Sequence, residues 1–247
     1  MLTRTIDINC DVGEGIGNEL ELFPMISSCN IACGGHAGTL ETIRKCLELA
    51  KKFNVKIGAH PSYPDKDNFG RITMAISNHE LIESIKTQMQ LFLTECSRMG
   101  ATIHHIKPHG ALYNDIAKDE HLAKLFLTAI SLYKNDILLY VPYGSVIEEL
   151  AVANNFKIMR EAFADRNYND DLSLVSRKEK NALITSGEEV LKHILRLYED
   201  REVKTISGKN IHLEAETFCI HGDTPTALQI LTYITIHLPQ HNLQAKP

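Results

Sequence analysis

Ile6-Asp7-Ile8-Asn9-Cys10-Asp11 alternates apolar and polar residues at every step. Side chains along a strand point to opposite faces in turn, so Ile6, Ile8 and Cys10 share one face and Asp7, Asn9 and Asp11 the other. Taken alone, the pattern describes an edge strand with its polar face in water. It recurs downstream, however. Asn30 and His36 share parity, as do Lys56 and His60, then His105, Lys107 and His109, and finally His221 and Asp223, each series closing at the carboxyl end of its apolar run. An open sheet has two edges, not five. A barrel with polar groups in its lumen and apolar residues facing outer helices accommodates all five series, and the carboxyl rim is where such folds place their chemistry.

The wider chain has the same rhythm. Strand-like runs lie at 6–11, 29–35, 55–61, 102–110, 137–144, 156–161 and 217–223, with helical patterns between them. The clearest helix opens with the capping box Ser77-Asn-His-Glu80, carries Leu81, Ile82, Ile85, Met89, Phe92, Leu93 and Cys96 on one face, and stops at Gly100. A second, over 39–53, buries Leu40, Ile43, Leu47 and Ala50; the last opens with Thr224 as cap and Pro225 at its first position. The expectation is an α/β fold, a TIM-like seven-stranded β/α barrel formed by one domain over 1–247. Residues 162–185 are long and charged, as a lid would be, and 203–213 reads as a hairpin turning at Ser207-Gly-Lys-Asn210. The text after the first strand, Asp11-Val-Gly-Glu-Gly-Ile-Gly17, is neither a dinucleotide fingerprint nor a Walker loop.

Composition narrows the partners. With 26 Lys+Arg against 31 Asp+Glu and no run of five like charges, neither nucleic acid nor an anionic membrane is expected. No apolar leader occupies residues 1–11 and no stretch is apolar enough to span a bilayer, so a cytoplasmic location is expected. The six cysteines form no C-x-x-C pair and read as small buried hydrophobes.

Asp11, Glu14, His36, His60, Lys107, His109, Glu161, His221 and Asp223 would gather at one end of this barrel. Such a mixture is not buried without pairing, hydration or a ligand. It supplies acids and bases, a fixed positive charge in Lys107, and a candidate metal triad in Asp11, His60 and His109, although no local spacing defines that triad. His104, of opposite parity, is assigned to packing.

The strings I-D-I-N-C-D-V-G-E-G from Ile6, S-S-C-N-I-A-C-G-G-H-A-G from Ser27, I-G-A-H-P-S-Y-P-D from Ile57, F-G-R from Phe69, H-I-K-P-H-G-A-L-Y-N from His105, E-A-F-A-D-R-N-Y from Glu161 and C-I-H-G-D-T-P from Cys219 resemble the LamB/YcsF family. The resemblance runs in order from residue 6 to about 238. One departure is Gly35, which stands where many members carry an aromatic residue before the histidine. The resemblance implies a barrel related to glycoside hydrolases and polysaccharide deacetylases. It also implies the role of the A component in a bacterial ATP-dependent 5-oxoprolinase, which works with two further subunits, B and C, and converts 5-oxo-L-proline, ATP and water to L-glutamate, ADP and phosphate.

Under that reading ATP arrives with Mg²⁺, and a protein-bound divalent metal stays open. Lys107 supplies charge to phosphate or oxyanion, His60, His109 and His221 move protons, and Asp11 and Asp223 orient them or hold Mg²⁺. Arg71 or Arg166 pairs with the substrate carboxylate, while Asn9, Glu14, Asn30, His36 and Glu161 complete the binding surface. Lys107→Ala and His109→Ala are expected to abolish turnover without unfolding the chain. Two other readings stand beside it: a metal-dependent, deacetylase-like carbohydrate hydrolase, and a non-catalytic ligand-binding subunit.

Overall fold

The computed structural model describes residues 3–245; Met1, Leu2, Lys246 and Pro247, part of the expected domain 1–247, lie outside the described residues. Seven parallel strands close a barrel: β1 (Arg4–Val12), β2 (Ser28–Ala32), β3 (Lys56–His60), β4 (Ile103–Ile106), β5 (Leu138–Pro142), β6 (Ile158–Phe163) and, after the hairpin β7 (Glu202–Lys204) and β8 (Asn210–His212), β9 (Thr217–Cys219). The ladder runs β1-β2-β3-β4-β5-β6-β9, and β9 pairs back onto β1 through Asp7↔Thr217 and Asn9↔Cys219. A short strand not expected from the sequence, β10 (Leu243–Ala245), adds to the outer start of β1.

The helices between strands follow their local signals. Asn78–Arg98 is capped reciprocally by Ser77 and Glu80, and buries Leu81, Ile85, Met89, Phe92 and Cys96. Leu40–Phe53 is capped by Thr39, but its first residue, Leu40, is exposed rather than buried. The last helix, Ala227–His237, starts later than expected. Thr224 and Pro225 form a turn instead, in which the Ala227 amide donates to the Thr224 carbonyl.

Two runs end sooner than their hydrophobicity suggests. β4 stops at Ile106, and Gly110 opens an unexpected helix, Gly110–Ile116. β2 stops at Ala32, so His36 is delivered by a glycine turn in which the Gly34 amide bonds the Ala37 carbonyl, not by strand parity.

Polar side chains fill the lumen in tiers. At the amino end, Asp7 accepts hydrogen bonds from Ser28 (2.6 Å), Thr217 (2.8 Å) and Lys56 (2.8 Å). One tier up, Asn9 donates to Glu161 (2.9 Å) and Thr217 (2.8 Å), and Asn30 donates to Asn9 and Asp11 (2.8 Å each). His105 donates from Nε2 to Asn30 (2.6 Å) and lies flat on Tyr140. Glycine is required opposite that ring, since a Cβ on Gly58 would sit 2.0 Å from His105 Nε2.

Candidate functional site

The carboxyl ends of the strands open into a cavity of about 650 Å³. Its floor is the top tier of the lumen. Lys107 Nζ, 1% exposed as a residue, is surrounded by Glu161 Oε1 (2.9 Å), Asp11 Oδ1 (3.0 Å), Cys219 Sγ (3.0 Å) and Asn9 Oδ1 (3.2 Å). Burial alone would lower its pKa, but Asp11 and then Glu161 outweigh burial and raise it, so the ammonium stays charged. With its three protons facing four lumen groups, Lys107 lies under the cavity as a fixed charge.

Beside it stands a histidine cluster. His60 donates from Nδ1 to the Lys107 carbonyl (2.7 Å), and His109 donates from Nε2 to the Phe69 carbonyl (2.9 Å). His60 Nε2 and His109 Nδ1 then face each other at 2.9 Å, with Glu14 Oε1 3.3 Å from His109 and Asp11 Oδ2 3.4 Å from His60. The Phe69 carbonyl reaches His109 through a tight turn at Gly70, whose φ of +61° and whose missing Cβ, which would come within 2.9 Å of His36 Cβ, both call for glycine.

His36 lies flat against His109 (ring centroids 3.6 Å apart) and bonds Glu14 Oε1 (2.9 Å). Burial lowers the His36 pKa to about 4. Burial would push Glu14 up, but the neighbouring His109 and His36 hold it well below the usual carboxylate range. Gly35, with no side chain of its own, leaves room for the Gln88 amide, which bonds both the amide and carbonyl of Ser62.

The opposite wall carries a pair the sequence did not expose. Asp165, fully buried on the loop after β6, accepts from His221 Nδ1 (2.9 Å) and from the His221 amide (2.9 Å). Burial opposes its charge, yet His221 keeps the Asp165 carboxyl below its ordinary pKa. This fixes the His221 ring at the cavity wall, stacked on Phe163.

Residues 164–185 form that side of the cavity. Arg166 is spent on them: its Nε donates to the Ala182 carbonyl (3.2 Å) and an Nη to the Val175 carbonyl (2.5 Å). The expected hairpin clamps the same segment, since Thr205, Ser207 and Lys209 all bond Asp170.

Asp11, Glu14, His60, Arg71, Lys107, His109, Glu161, Arg166 and His221 therefore line the cavity, whereas Asn9, Asn30, His36 and Asp223 do not. Asn9 and Asn30 lie a tier below, bracing the floor. His36 sits behind His109, and Asp223 is turned aside by an ion pair with Arg71. Besides Asp165, sequence reasoning missed Cys219 and the cationic rim of Lys118, Arg177 and Lys178. Only a closed barrel brings these together.

Closed parallel barrel, polar lumen and ionisable mouth define a β/α-barrel protein with a site at the strand ends. The LamB/YcsF family model matches residues 6–247, and the chain belongs to that family. It is 37% identical over 241 residues to the A subunit of 5-oxoprolinase from Haemophilus influenzae, covering 98% of both chains. It is 40% identical over 232 residues to the protein so named in Bacillus cereus, covering 92% of each. The crystal structure of a lactam utilization protein from Thermus thermophilus superposes with a TM-score of 0.91 at 32% identity, covering 98% of this chain and 99% of that one. Among the described residues, no helix is long and apolar enough to cross a membrane.

Proposed function

We propose that this chain is the A component of an ATP-dependent 5-oxoprolinase, opening the lactam of 5-oxo-L-proline to L-glutamate together with two partner subunits, B and C. The observation that carries this reading is similarity over nearly the full length to relatives bearing that name. The mouth of the barrel suits the chemistry. A five-membered lactam is a resonance-stabilised amide, and transfer of the ATP γ-phosphoryl group to its carbonyl oxygen, with loss of ADP, turns that oxygen into a leaving group. Water then attacks the ring carbon and the ring carbon–nitrogen bond breaks, the nitrogen taking up a proton to become the glutamate amine. A second water attacks the same carbon of the resulting acyl phosphate, and the carbon–oxygen bond to phosphate breaks to release phosphate and the glutamate carboxylate.

In this reading His221, whose ring is held by its hydrogen bond to Asp165, takes the proton from water. The Lys107 ammonium beneath the floor favours negative charge developing above it. Glu161, on the cavity lining beside Tyr113, is suited to accept the lactam N–H. Arg71, Lys118, Arg177 and Lys178 give the rim positive charge for the substrate carboxylate and for the phosphates that arrive with Mg²⁺.

The test is production of glutamate and ADP from 5-oxo-L-proline and MgATP, by the chain alone and with proteins recovered with it from its native cells. Matched glutamate and ADP in the reconstituted sample are expected, with the lactam oxygen appearing in phosphate when that oxygen carries an isotopic label. Acetate release from N-acetylated sugars without ATP, and no glutamate, would transfer the assignment to a metal-dependent hydrolase.

A further inference from the structure

The inward-facing atoms of the histidine cluster cannot all be satisfied by one another. Backbone carbonyls only accept, so the bonds from His60 Nδ1 to Lys107 and from His109 Nε2 to Phe69 fix where each neutral ring carries its proton. His60 Nε2 and His109 Nδ1 are then both lone pairs, aimed at each other across 2.9 Å. Glu14 Oε1 lies 3.3 Å from His109 Nδ1 and 3.9 Å from His60 Nε2, and Asp11 Oδ2 lies 3.4 Å from His60 Nε2. Acceptors converge here with no donor between the two rings, and such a group is stable around a cation.

The spacing matches a metal ion. Ligands about 2.0–2.1 Å from a tetrahedral ion stand roughly 3.3–3.4 Å apart, and the three separations among His60, His109 and Glu14, 2.9, 3.3 and 3.9 Å, bracket that value. His36 does not join the set. Its ring is parallel to His109 within 2° at 3.6 Å, so one ion cannot lie in the plane of both rings. Its Nε2 instead holds Glu14 at 2.9 Å, the bracing typical behind a metal-bound carboxylate.

We propose that His60, His109 and Glu14, with Asp11 beside His60, bind one first-row divalent transition-metal ion, and that His36 is a positioning residue for Glu14. This differs from the sequence-derived triad of Asp11, His60 and His109 by bringing in Glu14, which was expected to touch substrate. All four residues line the cavity, so the ion has an entry path and coordination positions open to a ligand. Two imidazoles with carboxylates suit Zn²⁺, Co²⁺, Mn²⁺ or Fe²⁺, whereas Mg²⁺ prefers an all-oxygen shell. The ion is therefore distinct from the one that accompanies ATP.

The test uses the full-length chain alone, without lactam, nucleotide or partners, so its failure is separable from failure of the lactam reading. Chelator-treated protein is titrated with Zn²⁺ against a chromophoric competitor and with Co²⁺ by visible absorption. One equivalent of tight Zn²⁺ is expected, with the intense Co²⁺ bands of a four- or five-coordinate site. His109→Phe, which keeps a ring against His36, and Glu14→Gln, which keeps the volume, should each weaken Zn²⁺ at least about 10-fold, and His36→Phe should weaken it roughly 10- to 100-fold. His193→Gln, a buried histidine outside the site, should leave it unchanged. Circular dichroism establishes folding in each variant. Zn²⁺ bound no more tightly by the wild type than by His109→Phe and Glu14→Gln, or a Co²⁺ spectrum of the hydrated ion only, would overturn the assignment and leave a proton as the cation between the rings.

Discussion

Lys107→Met tests the lumen network directly. The substitution keeps the length and apolar stem of the side chain but removes a charge 2.9 Å from Glu161 and 3.0 Å from Asp11, which are 2% and 7% exposed. At 3 Å and an effective dielectric constant of 20, each attraction is about 5–6 kcal/mol before the desolvation of both ions is subtracted. Breaking a buried pair while leaving its partner charged has a net cost of about 3–5 kcal/mol. In a chain of this size that corresponds to a melting temperature lower by roughly 6–20 °C. The sequence-based expectation that removing Lys107 spares the fold is therefore revised, because the structure leaves two carboxylates behind without their cation.

The assay is urea unfolding at pH 7 in EDTA, comparing wild type, Lys107→Met, Glu161→Gln and the double variant. Neutralising Glu161 removes one of the stranded charges, so the double variant should recover at least about 1 kcal/mol relative to the sum of the single losses. A Lys107→Met protein within about 0.5 kcal/mol of wild type, or strictly additive losses, would refute the claim that the ammonium neutralises this floor.

Gly58→Ala should cost about 2 kcal/mol or more by equilibrium unfolding, since its Cβ meets the His105 ring at 2.0 Å, and adding His105→Ala should remove most of that clash. Burial lowers the His193 pKa to about 4, against about 6.5 in the unfolded chain. Between those values the unfolded state binds more protons, so stability falls as pH falls, by about 2 kcal/mol at pH 5 from this group. His193→Phe should flatten the measured slope of stability from pH 7 to pH 5 by that amount, and an unchanged slope would argue that His193 does not titrate this way. In the reconstituted assay, Asp165→Asn should lower glutamate formation about 100-fold or more, and combining it with His221→Gln should lower it no further than the worse single variant. Multiplying losses in that double variant would separate the two residues into independent roles.

The barrel was legible because its decisive signal is local. Polar residues at period two in Asp7, Asn9 and Asp11, repeated in Lys56 and His60 and again in His105 and Lys107, require a wet or functional inner face wherever the strands lie. The capping box at Ser77 and Glu80 likewise marks a helix start from four residues alone. Asp165 left no such trace. It follows β6 in the loop, 56 positions before His221, and only the return of β9 between β6 and β1 brings them together.

Period two also gives a direction without a depth. It says that Asn9 and Asn30 point inward, but not how far below the rim they stop. Depth comes from the stagger between tilted strands. The ladder pairs Asn9 with Ser28 and Asp11 with Asn30, yet the Asn30 amide reaches both Asn9 and Asp11. That bond places the two asparagines in the tier beneath the cavity, where they hold Glu161 and Asp11 around Lys107 instead of touching a ligand. A chain that puts five inward polar series into one lumen must use some of them to satisfy the others. Here the lower tiers are spent that way, and the floor and rim, with Lys107, Glu161, His60, His109, Glu14 and the Asp165-oriented His221, face the cavity where chemistry can occur.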